Sequence, residues 1–183
     1  PGTQAAGSLL EKVFIGSLLL VILICQGVLP LPPKAFAGDD LVVYGDALAG
    51  GWQDWSYNGA KINYTAADPV YTGDHSISIG FEQAWSGFQI GYSGDFLDVS
   101  AHDTFGFRIH GGQTGGQSVE LILEFDQGRM VRSLSPSAGS WTGIEIPLSE
   151  LSSPKAYSIQ LFNASGRAQP EFFIDAMGFK GQG

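Results

Sequence analysis

The sequence predicts an all-β protein, an antiparallel two-sheet sandwich preceded by an N-terminal hydrophobic helix. From Leu41 onward apolar residues recur with a period close to two, the spacing that sends alternate side chains to opposite faces of a strand. Clusters rich in Gly, Pro, Asn, Asp and Ser separate these runs, as short strands joined by turns require. Only the stretch before residue 30 has the length and uniform hydrophobicity of a long helix.

That first element is Val13–Leu29, an apolar run without a charge, preceded by Lys12 and closed by Pro30, Pro32 and Pro33. Proline ends a helix because it lacks the amide donor and its ring clashes with the preceding turn. Ala35-Phe36-Ala37 follows, a small-x-small pattern suited to signal peptidase. Residues 1–37 are therefore a secretory signal, or a retained membrane anchor if cleavage does not occur, since the run approaches the roughly 20 residues that cross a bilayer. Both readings place residues 38–183 outside the cell as one domain, with the membrane touched only through the N-terminal segment. Cys25 lies inside the apolar run, so residues 38–183 contain no cysteine and have no disulfide to stabilise them.

Period-two runs then occur at Leu41–Tyr44, Lys61–Thr65, His75–Phe81, Phe88–Tyr92, Thr104–Ile109, Val119–Asp126, Arg129–Leu134, Trp141–Ile146, Tyr157–Phe162 and Glu171–Phe179. In Val119–Asp126 the residues Val119, Leu121, Leu123 and Phe125 share one face, while Glu120, Glu124 and Asp126 share the other. Asp126-Gln127-Gly128 joins this strand to the next as a hairpin, with Gly128 free to take a positive φ. Pro147–Leu151 suits a single helical turn in a crossover. Gly111–Gly116 reads as a flexible loop.

Charge and motifs exclude several activities. The formal charge is -9, from 9 basic and 18 acidic residues, which repels a nucleic-acid backbone. His75, His102 and His110 lack paired zinc-ligand spacing, and no Gly-x-Ser-x-Gly elbow or phosphate loop is present. Glu120 and Glu124 share a face with neighbouring acids, and strand residues two apart are about 6.6–6.8 Å from each other, within reach of a glycosidase pair. A solvated strand face explains the same acids without catalysis.

The aromatic residues are more informative. Trp52, Trp55 and Tyr57 interleave with Gln53 and Asp54, and Trp85 follows in Ala84-Trp85-Ser86-Gly87. A pyranose offers an apolar CH face and a rim of hydroxyls, which flat rings beside polar side chains match. Large aromatics also bury, and at least one of Trp52 and Trp55 is expected in the core, with Trp141.

An ordered series of segments carries a resemblance: Val43–Leu48, Gly51–Ser56, Pro69–Ile77, Gly139–Thr142 with Ile146–Ser149, and Phe173-Ile174-Asp175. Together they resemble the jelly-roll carbohydrate-binding modules of bacterial extracellular and surface proteins, over nearly all of residues 39–181. The resemblance implies a β-jelly roll without catalytic activity that binds a polysaccharide. It also implies a structural calcium near the first strand, held by Asp175 with Asp46, Asp39 or Asp40, although the second acid that follows the aspartate in the family is Ala176 here. The expected sugar site comprises Trp52, Trp55, Tyr57 and Trp85 for stacking, with Gln53, Asp54, Gln89, Arg108, Glu120 and Glu124 for hydroxyls. The alternatives are a structural or adhesive surface protein with the same fold and, third, a glycoside hydrolase.

Overall fold

The computed structural model describes residue 36, residues 38–151 and residues 154–181. The helix expected over 13–29, Cys25 and the Ala35 and Ala37 positions lie outside the described residues. Lys34–Gly183 form one compact unit. Among the described residues no helix is long and apolar enough to cross a membrane.

The unit is an antiparallel sandwich of two sheets, as the alternation predicts. Its strands are β1 (Leu41–Tyr44), β2 (Trp52–Asp54), β3 (Ala60–Ala66), β4 (Ser76–Phe81), β5 (Gly87–Tyr92) and β6 (Leu97–Asp98). Then come β7 (His102–His110), β8 (Val119–Phe125), β9 (Gly128–Leu134), β10 (Trp141–Pro147), β11 (Lys155–Asn163) and β12 (Gln169–Gly181). The first sheet runs β10-β7-β12-β4-β3, with β1 also on β12; the second runs β2-β5-β11-β8-β9, with β6 also on β11.

Ten of these strands overlap the period-two runs, whereas β2 and β6 are too short to show a period. On β8 the burial alternates residue by residue, with Val119, Leu121, Leu123 and Phe125 inward. Those side chains meet Phe105, Phe172, Ile174 and Phe179 from the first sheet in one core, the interleaving that holds two sheets face to face. β12 is the long strand of the first sheet, and its register shifts between Asp175 and Gly178, where Ala176 takes φ 49°. Such a bulge re-aims a side chain.

Two expectations about loops change. Leu148–Leu151 is a turn closed by the Leu151 N–H donating to Leu148 O at 2.9 Å, not a helix. Gly111–Gly116 is not loose: Gly111 N–H donates to Ser137 O, Gly115 N–H to Gly111 O, Gly116 N–H to Pro136 O, and Gly139 N–H to Gly112 O. Glycine is needed there for close approach, since a β-carbon on Gly112 (φ +64°) would collide with the Glu171 carbonyl. Gly112→Ala is expected to cost about 1–3 kcal/mol, measured as a lower thermal midpoint.

Candidate functional site

The outer face of the second sheet carries the candidate site. On β5 the sequence Gly87-Phe88-Gln89-Ile90-Gly91 buries Phe88 and Ile90 and leaves two glycines and Gln89 outward. Residues 55–57 run along β5: Trp55 N–H donates to Gln89 O at 2.8 Å and Tyr57 N–H to Gly87 O at 3.0 Å. Each ring fills the space of a missing side chain. A β-carbon on Gly91 would collide with the Trp55 indole, and one on Gly87 with the Tyr57 ring.

More rings extend this surface along the strands. Tyr157 on β11 lies 5.4 Å from Trp55 between ring centres, and Phe96 lies 5.7 Å from Tyr157. Trp55, Tyr92, Phe96 and Tyr157 border an open cleft of about 900 Å³ with Asp95 and Asp98 on its wall. At the other end Trp85 stacks on Phe162 of β11 at 6.0 Å and 21°. Trp85 is 58% exposed and Tyr57 38%. Trp85 also holds φ +62°, a left-handed conformation that is costly for a bulky side chain and clusters at binding sites. The neighbouring chain keeps it there: Ser86 Oγ donates to Asn58 O at 2.6 Å, and Asn163 Nδ2 to Gln83 O at 2.8 Å.

Polar groups sit between the ring clusters. Gln89, Gln160 and Ile122 are aligned across β5, β11 and β8, and Glu124 pairs with Ser158 one step further along. Gln89 Nε2 donates to Ser158 Oγ at 3.2 Å, and Ser158 Oγ donates to Glu124 Oε2 at 2.7 Å. Gln160 Nε2 donates to the Tyr57 hydroxyl. Partial burial raises the Tyr57 phenol above its ordinary value, against the lowering effect of that bond, so it stays protonated and able to donate.

Of the residues selected from the sequence, Trp55, Tyr57, Trp85, Gln89, Glu120 and Glu124 share this sheet face, and Gln53 joins them opposite Gly91. Three do not. Trp52 is only 6% exposed and packs edge-on against Tyr92, because its odd offset from Trp55 turns it to the core. Asp54 pairs with the inward-facing Ile90, so it lies on the opposite side of β2, and its Oδ1 accepts the Ser56 N–H at 2.8 Å. Arg108 belongs to β7 of the first sheet, and its guanidinium sits 4.9 Å over the Tyr71 ring. Sequence reasoning missed Phe96, Tyr157, Ser158, Gln160 and Phe162. The alternating Gly-x-Gln-x-Gly of β5 was the available signal, since outward glycines on a strand invite a ring from elsewhere.

Three of the four aspartates named for calcium, Asp175, Asp46 and Asp40, serve as acceptors for backbone amides. Asp175 Oδ2 accepts the Tyr71 and Thr72 N–H groups at 2.9 and 3.1 Å, and Oδ1 accepts Ala176 N–H at 2.6 Å. Asp46 Oδ1 accepts the Asp74 and His75 N–H groups at 2.6 and 2.9 Å, while Asp40 Oδ1 accepts Gly181 N–H at 3.0 Å. These amide bonds take up part of the acceptor capacity of the three carboxylates, and calcium takes six to eight oxygen ligands. Among the described residues no three His, Cys, Asp or Glu side chains gather as a metal group. Burial pushes Asp175 above the ordinary carboxylate range, against its three amide donors, whereas the amides hold Asp46 below it. Chelation with EDTA is expected to leave the thermal midpoint unchanged; a fall of several degrees would restore calcium to this end of the sandwich.

The family model of the expansin-like protein C-terminal domain matches residues 43–182. The chain belongs to that family. No curated protein matches it. Among solved structures, this expansin-like domain is similar to the family 11 carbohydrate-binding module of a cellulosomal cellulase of Clostridium thermocellum, with 19% identity over 80% of this chain and 96% of that one, at a TM-score of 0.57. The same module in complex with a β-1,3-1,4-mixed-linked tetrasaccharide gives 18% identity, 78% and 95% coverage and a TM-score of 0.57. A family 29 carbohydrate-binding module complexed with mannohexaose gives 12% identity, 76% and 89% coverage and a TM-score of 0.56. At these identities the likeness is one of fold, and it agrees with the jelly roll expected from the sequence.

Proposed function

We propose that this expansin-like domain binds polysaccharide without cleaving it, seating a glycan chain along the outer face of the β2-β5-β11-β8-β9 sheet. The observation that carries the reading is the pair of rings laid over Gly91 and Gly87, with Tyr157 and Phe96 beyond one and Trp85 beyond the other. They make a discontinuous apolar track on which sugar CH faces can stack. Between them Gln89, Gln160, Glu124 and the Tyr57 hydroxyl supply hydrogen-bonding groups for sugar hydroxyls.

The solved modules with mixed-linked tetrasaccharide and mannohexaose support this reading through their shared fold. The same proposal puts the domain outside the cell, following the apolar segment at 13–29 and the Ala35-Phe36-Ala37 pattern. The test is retardation in affinity gels containing polysaccharide, with tryptophan fluorescence titrated by soluble oligosaccharide. Binding should shift the emission, because Trp55 and Trp85 lie on the track. No retardation and no spectral change across β-glucans and mannans would overturn the reading.

A further inference from the structure

Ser158 is 1% exposed, yet it belongs to the outward row of β11, between Gly91 of β5 and Glu124 of β8. Its single hydroxyl joins Gln89 to Glu124. An ionised carboxylate has no hydrogen to give, so the serine hydrogen must go to Glu124. Ser158 Oγ can then only accept from Gln89. This fixes the glutamine amide with its nitrogen toward Ser158 and its carbonyl oxygen turned away from the relay. The same bond engages Oε2 of Glu124 and leaves Oε1 outside it.

We propose that Ser158 is a positioning residue that sets Gln89 and Glu124 as two oriented acceptors for ligand hydroxyl groups. The inference rests on the polysaccharide-binding reading and adds a polarity to it: this part of the face receives hydrogens from the ligand. Ser158 itself, covered by its neighbours, does not touch the sugar. Without its hydroxyl, the Gln89 amide loses the partner that distinguishes its two ends and can present either end outward.

The experiment is a mutant cycle on the full chain, read by calorimetric titration with the mixed-linked tetrasaccharide, cellohexaose and mannohexaose. Ser158→Ala should weaken the best of these about five- to tenfold, the worth of an ordinary oriented hydrogen bond. Added to a Gln89→Ala, Glu124→Ala background, the same change should alter affinity by less than about twofold, because nothing remains to be oriented. Ser158→Cys, which keeps the volume but replaces the hydroxyl with a weak donor, should follow Ser158→Ala and guards against a folding defect in the latter. Wild-type affinity in both single variants, or an undiminished loss in the triple variant, would overturn the positioning role alone. Failure of the unaltered chain to bind any of the three sugars would overturn the binding reading with it.

Discussion

Replacing Asp175 with Ala is expected to lower the unfolding free energy by about 3–5 kcal/mol, measured by urea denaturation. The Asp175 side chain is fully buried, and its two oxygens take three backbone N–H groups from residues 71, 72 and 176. Truncation leaves those donors without the acceptor they were folded around, and each costs more to strand than the bond itself contributes. The loss also frees the segment that carries Tyr71 against Trp141 and Arg108. Asp175→Asn should cost less, because it keeps one acceptor and removes a desolvated charge, but its amide nitrogen must then face a backbone donor. An Asp175→Ala protein as stable as the wild type would show that the carboxylate does not anchor the loop.

The second large effect is on binding. Trp55→Ala should weaken the preferred oligosaccharide by about 30-fold or more, the roughly 2 kcal/mol of a central aromatic anchor. Gly91→Ala should do comparable damage with every ring still in the sequence, since the new methyl takes the seat of the indole. Trp52→Phe is the control, and it should alter the thermal midpoint while leaving affinity in place, because Trp52 belongs to the core. Equal loss in Trp52→Phe and Trp55→Ala would mean that binding reports only on folding.

Much of the fold was legible because burial on one side writes a period of two into a strand, and β8 shows it without a break. The short β2 and β6 have too few residues for any period to register. The candidate site was legible where rings and polar residues lie close in sequence, as in the segment from Trp52 to Tyr57. Phase within that segment decided which rings reach the surface: Trp55 follows Trp52 at an odd offset of three positions, so they point to opposite sides. Arg108 was unreadable from the chain alone, since its place depends on which sheet β7 joins, and β7 joins the one opposite the aromatic track. Tyr157 and Ser158 escaped for a related reason. The β11 register against β8 shifts between Ala156 and Ser158, and a bulge breaks the parity on which alternation depends.

The seats at Gly87 and Gly91 bear on how the domain would engage a ligand. A ring resting on main chain, with no side chain beneath it to yield, has surrendered its rotational freedom during folding. A partner arriving at such a surface does not have to freeze it again, and that entropic cost is a large part of what weakens association elsewhere. Calorimetry on the intact domain should therefore show a smaller unfavourable entropy of association than Gly91→Ala, in which the indole must be recaptured each time.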